Sequence, residues 1–419
     1  MGLFSYISRM LVVNRTMRII HTADWHLGQT FYGFERCNEH AVFLNWMCST
    51  IKERGATLLL ISGDVFDTPN PSAKAQKMFY SFLTRVTNEN PDLQIIITAG
   101  NHDSAARIEA PSSMLNAFNV FVSGVLHYVD GEIDYDKMIV PVAGGGCCLA
   151  VPFLRHNDHP AADSYSEGVA KLYAELCRRA AEKGYSPIVA MGHLQASGAE
   201  VSVGDVSEYA TIGGMEGIGY SFANDGIAYT ALGHLHKAQS VGHRENVRYS
   251  GSPLPMSFAE RGNRQSVAFV CIEDGECRVE KIEFNAPAKL LSVPASPQPI
   301  EEVLEMLSDL PLGDVDDFSP FLEVNVLVTS IDPTLRQRIE DAIAGRAVRL
   351  ARINATGGER RDNGTRGAIT FDDFKKKSPK EILCELYARS CGDEMPQHLA
   401  GLLDDVMKGL ENEDISNKR

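Results

Sequence analysis

Five short apolar runs in this chain each stop at a cluster of polar residues with metal-binding chemistry. They are RIIHTADWH from Arg18, LLLISGDVFD from Leu58, QIIITAGNHD from Gln94, PIVAMGH from Pro187 and IAYTALGHLH from Ile227. None alternates strictly between apolar and polar, which is the pattern of strands covered on both faces. Helical stretches over 39–54 and 73–88 separate the first three. A β–α–β series of this kind predicts a largely parallel sheet, with the reactive groups gathered at the carboxyl ends of its strands.

At those ends stand Asp24 and His26, Asp64 and Asp67, Asn101 with His102 and Asp103, His193, and finally His234 and His236. In an extended chain residues i and i+2 point the same way, so His234 and His236 project together. Aspartate oxygens and imidazole nitrogens suit borderline divalent metals such as Mn, Fe and Zn. Four histidines, two aspartates and one asparagine serve two ions if one carboxylate bridges them. A pair of ions about 3.5–4 Å apart is a known device for phosphoester cleavage, activating a water and neutralising the phosphate. Each motif alone has a plainer reading. Gly-Asp after a strand is often only a turn, Asn101-His102 suits a helix cap, and Gly192-His193 suits a core histidine. The placement of all five immediately after strands favours the metal site.

The balance of 40 Lys and Arg against 55 Asp and Glu gives a net charge of −15, which argues against passive coating of nucleic acid. It leaves phosphate-ester chemistry open, since metal ions and a local basic patch can meet a polyanion. Nine cysteines without a CxxC pair read as reduced thiols of a cytosolic protein. Cys147-Cys148 reads better as two small apolar residues entering a strand than as a reactive vicinal pair. No segment reaches the roughly 18 apolar residues that span a membrane. The fold is expected to begin at Met17, with 1–16 an N-terminal extension.

The series Asp24-Trp-His26, Gly63-Asp64-Val-Phe-Asp67, Gly100-Asn101-His102-Asp103, Gly192-His193 and Gly233-His234-Leu-His236 resembles that of the calcineurin-like metallophosphoesterases. The longer wording HTADWHLG, GDVFDTPNPS, GNHDS, ALGHLHKAQ and YSGSPLPMSFAE looks like the SbcD family, the nuclease subunits of bacterial SbcCD complexes. The likeness is strong over 17–260 and one of layout beyond. It implies an α/β fold: a sandwich of β-sheets flanked by helices, then a small α/β capping domain and C-terminal helices. It also implies a metal-dependent DNA nuclease, exonucleolytic on duplex ends and endonucleolytic on single strands or hairpins, acting in DNA repair, recombination and replication. Carried over by position, one divalent ion, expected to be Mn²⁺, would be held by Asp24, His26, Asp64 and His236. The second would be held by Asp64, Asn101, His193 and His234. His102 would be the catalytic histidine beside the leaving oxygen, its tautomer set by Asp67. Relatives in the archaeal branch carry a histidine at the position of Asp67.

After about Asn285 the pattern changes to strand–helix–strand–helix–strand, with SPQP (296–299) and 311–320 reading as loops. The expected boundaries are a nuclease domain over 17–285, a capping, DNA-binding domain over 286–370, a helical segment over 371–412 that binds the partner ATPase, and a tail over 413–419. From Arg346 to Lys377 nine Lys or Arg face four Asp or Glu. Arg346, Arg349, Arg352, Arg360 and Arg361 are therefore candidate phosphate contacts, against the alternative of a solvated loop. Ser378-Pro-Lys-Glu381 has capping-box spacing. Ile382, Leu383 and Leu386 form one helical stripe, and Leu399, Leu403 and Val406 another. Their position resembles the family's ATPase-docking helices. The chain lacks a Gly-Lys dipeptide and so a Walker A loop, which leaves ATP to an SbcC-like SMC-type partner. The resemblance implies a homodimer within a heterotetramer, cytoplasmic and nucleoid-associated. The competing reading is a phosphodiesterase or phosphatase for a small molecule or phosphoprotein; a metal-free scaffold is the remaining one.

Overall fold

The apolar runs fold as strands, and their carboxyl ends decide where the polar clusters meet. The computed structural model describes residues 16–156, 158–200, 218–219, 226–328, 332–357, 396 and 399. Strands β1 (Met17–Thr22), β2 (Leu58–Ser62), β3 (Gln94–Thr98) and β4 (Val120–Ser123) are followed by β5 (Ile139–Val142), β6 (Gly146–Ala150), β7 (Ile188–His193) and β8 (Tyr229–Gly233). Next come β9 (Gln239–Val241), β10 (Arg244–Tyr249), β11 (Ser266–Glu273) and β12 (Glu276–Glu283). They make two six-stranded sheets, ordered β12-β11-β1-β2-β3-β4 and β9-β10-β8-β7-β6-β5.

These two sheets are the sandwich that the family resemblance implies, where the strand pattern alone predicts one largely parallel sheet. Strands β1 to β4 run parallel in the first, and β6, β7, β8 and β10 run parallel in the second, each sheet being closed by antiparallel strands. The reason is physical: a strand buried on both faces carries the same apolar pattern whether a helix or a second sheet covers it.

Ile19, Leu58, Leu60 and Ile96 of one sheet meet Val189, Met191 and Ala231 of the other in a core between the sheets. The alternate residues Ile20, Leu59, Ile61 and Ile95 lie under helices α1 (Cys37–Arg54) and α2 (Ala73–Glu89), with Phe43, Met47, Phe79 and Leu83. On the far face, α3 (Tyr165–Glu182) lays Leu172, Tyr173 and Leu176 over the second sheet. Burying each such side chain contributes about 1.5–3 kcal/mol. Cys147 joins the core under α3 and Cys148 the core between the sheets. Burial pushes the Cys147 thiol up to about 12 and that of Cys148 well above its ordinary value, so both behave as apolar strand residues.

Beyond Pro287 a second module forms from β13 (Leu290–Pro299), α4 (Ile300–Ser308), β14 (Phe321–Val328), α5 (Leu335–Ala342) and β15 (Arg349–Gly357). Its parallel sheet, β13-β14-β15, has its own core of Val303, Leu307, Leu322, Val324, Val326 and Ile339. The SPQP stretch, expected as loop, belongs to β13: Pro297 falls within a register shift between Val293 and Gln298, and Pro299 pairs with Leu327 at the end of the strand. Arg360, Arg361, Ile382, Leu383, Leu386, Leu403, Val406 and the segments 1–15 and 413–419 lie outside the described residues. Leu399 is described and is exposed. No helix among the described residues is long and apolar enough to cross a membrane.

His21 is fully buried, and its Nδ1 lies 2.9 Å from the Tyr229 hydroxyl. Burial lowers its pKa to about 3. An unfolded histidine takes up a proton near pH 6.5, so between pH 6.5 and 3 the unfolded chain binds a proton that the folded chain refuses. Stability is therefore full above pH 6.5 and falls as pH drops through that window. In urea titrations with chelator present, His21→Leu should lose about 2 kcal/mol less than the wild type between pH 7 and pH 5.

Candidate metal centre

The loops that follow the strands hold several side chains in a backbone conformation that most residues avoid. Asp24, His26, Asp64 and His234 have φ of +55°, +45°, +48° and +103°. Such positions cost about 1–3 kcal/mol each and persist only where surrounding bonds fix them. Here Asp24 and His26 donate their N–H groups to the carbonyls of Gly63 (3.1 Å) and Asp64 (3.0 Å), lacing the first loop to the second. The N–H of His234 donates to Asp24 Oδ1 at 2.9 Å, and that of His102 to Asp64 Oδ1 at 2.8 Å. Asp103 completes the lacing, accepting from the N–H groups of Val65, Phe66 and Gly100 at 3.2, 2.9 and 2.9 Å. Close approach explains two glycines: a Cβ on Gly63 would lie 2.2 Å from His193 Nδ1, and one on Gly100 would lie 2.1 Å from Asp64 Oδ1.

The structure brings every expected donor into one cluster. His193 Nε2 lies 3.3 Å from Asp64 Oδ2 and 2.9 Å from Asn101 Oδ1, which is 3.2 Å from His234 Nδ1. His26 Nε2 lies 3.7 Å from Asp64 Oδ2. Three groups gather ligand atoms closely enough for a common ion: Asp24 with His26 and His236, Asp24 with Asp64 and His193, and His26 with Asp64 and His102. Two donors each about 2.1 Å from one ion stand roughly 3–3.5 Å apart, so these spacings suit metal binding. Asp24 Oδ2 and His26 Nε2 are buried without a hydrogen-bond partner. Orphaned donors of this kind are costly unless something occupies them, and a divalent cation fits the donor set.

The rings are oriented from behind. His193 Nδ1 donates to the Ser62 carbonyl at 2.9 Å, and His236 Nδ1 stands 3.2 Å from Oε1 of the buried Glu260. His26 Nδ1 stands 3.3 Å from Oδ1 of Asp67. Holding one ring nitrogen in this way leaves Nε2 free as a ligand. No spacing along the chain relates Glu260 to His236, so the sequence alone does not reveal it. Asp67 differs from expectation: its carboxylate faces His26, and its backbone carbonyl, 3.0 Å from His102 Nδ1, orients His102. The positive φ of the first loop turns His26, not His102, toward that side chain.

Charge inside the cluster is uneven. Burial would raise Asp64, but His193, by its charge and its hydrogen bond, together with His26 and His102, draws it far below the carboxylate range. Burial would lower His193, but Asp64 and then Asp24 raise it to about 9. Burial raises Asp24 to about 7 and lowers His234 to about 3.

Of the candidate phosphate contacts, Arg349 needs correction. It is buried, with its guanidinium 3.7 Å over the Phe321 ring and its Nε donating to the Ser319 carbonyl at 2.8 Å. A cation committed to those partners cannot reach a phosphate. Arg346 is half-buried and donates to the Leu310 carbonyl at 2.6 Å. Arg352 keeps its side chain 43% exposed.

A calcineurin-like phosphoesterase family model matches residues 17–238. A second, SbcD_C, described as the type 5 capsule protein repressor C-terminal domain, matches 287–390. The SbcD component of the nuclease SbcCD from Rhodobacter capsulatus is 34% identical over 389 residues, covering 88% of this chain and 94% of that relative. The chain belongs to the SbcD family of calcineurin-like phosphoesterases. The counterpart from Escherichia coli K12 is 33% identical, covering 65% of this chain and 68% of its own. That of Bacillus subtilis 168 is 31% identical, with coverage of 62% and 67%. As a member of the SbcD family the chain is a metal-dependent nuclease of the phosphodiesterase type, and divalent metals are the cofactors its family implies.

Metal uptake must displace protons, because ligands bind ionised or neutral as the metal requires. With Asp24 raised to about 7 and His193 to about 9, protons compete increasingly below pH 8, so affinity should fall from pH 8 to pH 6. Calorimetric Mn²⁺ titrations at pH 7, in buffers of different ionisation heat, should show release on the order of one proton per chain.

Proposed function

We propose that this SbcD-family chain is a Mn²⁺-dependent DNA nuclease, exonucleolytic on duplex ends and endonucleolytic on single strands and hairpins. It works in the cytoplasm on nucleoid DNA, in repair and recombination. An SbcC-like SMC-type ATPase is its partner, with two copies of each chain in the assembly. The observation that carries the reading is the convergence of Asp24, His26, Asp64, Asn101, His193, His234 and His236 on one strand-end edge, with His102 beside them. Support for the partner comes from the names of the relatives, each one component of a nuclease called SbcCD. The division into a nuclease body over 17–285, a cap over 286–370 and a partner-binding segment over 371–412 belongs to the same proposal.

Asp24, His26, Asp64 and His236 would hold one ion, and Asp64, Asn101, His193 and His234 the other. Bound there, the pair supplies an activated water and neutralises the scissile phosphate. His102 stands outside both sets, with its ring centroid 4.8 Å from that of His26. The Asp67 carbonyl accepts from its Nδ1, which supports a ring that delivers a proton from Nε2 to the leaving oxygen. Asp67 is therefore a positioning residue twice over, by its carbonyl for His102 and by its carboxylate for His26. Exposed Arg352, with Arg360 and Arg361, is assigned to the DNA backbone, and Arg349 has no part in that contact.

Alanine at His102 should leave Mn²⁺ content unchanged while lowering cleavage of a labelled hairpin duplex by roughly 10²–10⁴-fold. The assay is run with Mn²⁺, with Mg²⁺ and with chelator, with and without the partner ATPase. Undiminished cleavage by His102→Ala would remove His102 from the chemistry. Failure on DNA in every condition, with a chromogenic phosphodiester still hydrolysed, would move the chain to small substrates.

A further inference from the structure

Where the second module joins the nuclease body, three charged side chains are buried together. Arg36 is 0% exposed, Glu39 1% and Arg349 6%. Removing three charges from water is costly, and a buried pair is seldom better for stability than apolar side chains of the same volume. The use of this cluster lies in what its bonds connect. Arg36 gives Nε and Nη2 to the two oxygens of Glu39 at 3.1 and 2.8 Å, a bidentate fork. Its Nη1 reaches in two further directions, to the Gln29 side-chain oxygen at 2.9 Å and the Pro255 carbonyl at 2.6 Å.

Each contact leads to an imidazole of the same ligand group. Gln29 donates its backbone N–H to the His26 carbonyl at 3.0 Å. Pro255 precedes Met256, whose N–H donates to Glu260 Oε2 at 3.1 Å, and Glu260 Oε1 stands 3.2 Å from His236 Nδ1. The Gln29 amide also meets Met256 Sδ at 2.7 Å, joining the two routes. In the other direction the cluster holds the second module. The Phe321 ring, at the start of β14, has the Arg36 guanidinium 5.7 Å and the Arg349 guanidinium 3.7 Å from its centroid.

We infer that Arg36, with Glu39 and Arg349, is a joint through which the seating of the second module sets the His26–His236 half of the metal centre. Arg36 is a positioning residue: it touches neither ligand, and it fixes both loops that carry them. The joint bears less directly on the other half: His193, beside Asn101, is held by the Ser62 carbonyl outside these routes, and His234, though on the loop of His236, is fixed by its own N–H bond to Asp24 Oδ1. This inference rests on the two-ion reading of the centre.

The test is Mn²⁺ binding to the full-length chain, followed by calorimetry and by electron paramagnetic resonance. Wild type should bind two ions with a spin-coupled signal. Arg36→Lys keeps the charge and loses the fork, and Arg349→Met loosens the module side. Each should weaken one Mn²⁺ site by roughly 10–100-fold, the usual effect of losing support behind a ligand, and leave the other within about twofold. The coupled signal should give way to that of an isolated ion. On a His236→Ala background, Arg36→Lys should then change nothing further. Should Arg36→Lys fail to fold, Gln29→Ala, at a half-buried position, carries the same expectation. Equal weakening of both ions, or no change in either, overturns the inference while the two-ion centre stands. Wild-type protein that binds no Mn²⁺ overturns both.

Discussion

Asp64 cannot be both buried and ionised at the end of β2 unless its neighbours supply what water would. They do so from three directions: the His102 N–H at 2.8 Å, the His193 ring at 3.3 Å and the His26 ring at 3.7 Å. Each neighbour comes from a different strand end, so ionised Asp64 requires β1, β2, β3 and β7 to finish on the same edge. Two mixed sheets packed face to face satisfy this, because the parallel strands of each present their carboxyl ends together. The sandwich follows from the carboxylate as much as the carboxylate from the sandwich.

The same crowding explains the strain. A relaxed loop after β1 would point Asp24 and His26 away from β2, and positive φ at both turns them inward. The cost is offset by backbone bonds between loops and by Asp103, whose carboxylate gathers three N–H groups. Burial raises Asp24, and Asp64 with Asp24 raises His193, so the metal-free centre keeps protons on two of its own ligands, while His234, lowered by burial, is already neutral and ready to bind. A site of this kind is completed by its cation, which supplies the positive charge that the fold has prepared for and cannot provide itself.

The strand-end donors were legible in the sequence because a single strand followed by DxH, GDxxD or GNHD needs no long-range information. The helices over 37–54 and 73–89 and the five-element second module were legible from periodicity for the same reason. What escaped depends on contacts between distant segments. One parallel sheet and two packed sheets leave the same pattern on a doubly buried strand. Glu260 lies 24 residues from His236 and meets it only through the fold. Arg349 looked like part of a basic stretch, yet the rings of Phe34 and Phe321 enclose it. The resemblance pairs Asp67 with His102, and only the backbone turn at His26 gives the carboxylate to His26 and leaves His102 the Asp67 carbonyl.

An acidic enzyme that cleaves a polyanion must separate long-range repulsion from short-range capture. With a net charge of −15, the surface as a whole repels a phosphate backbone, and salt screens that repulsion within about 8 Å. Capture then falls to cations near the centre, the role proposed for Arg352 on the second module, and to the ions the centre would hold. Arg36 and Arg349 are cations that the fold has withdrawn from that task. They are enclosed with Glu39 at the joint between the two modules, so their charge acts on the protein's own geometry. Under these two proposals the chain divides its cations between those that meet the substrate and those that aim the ligands.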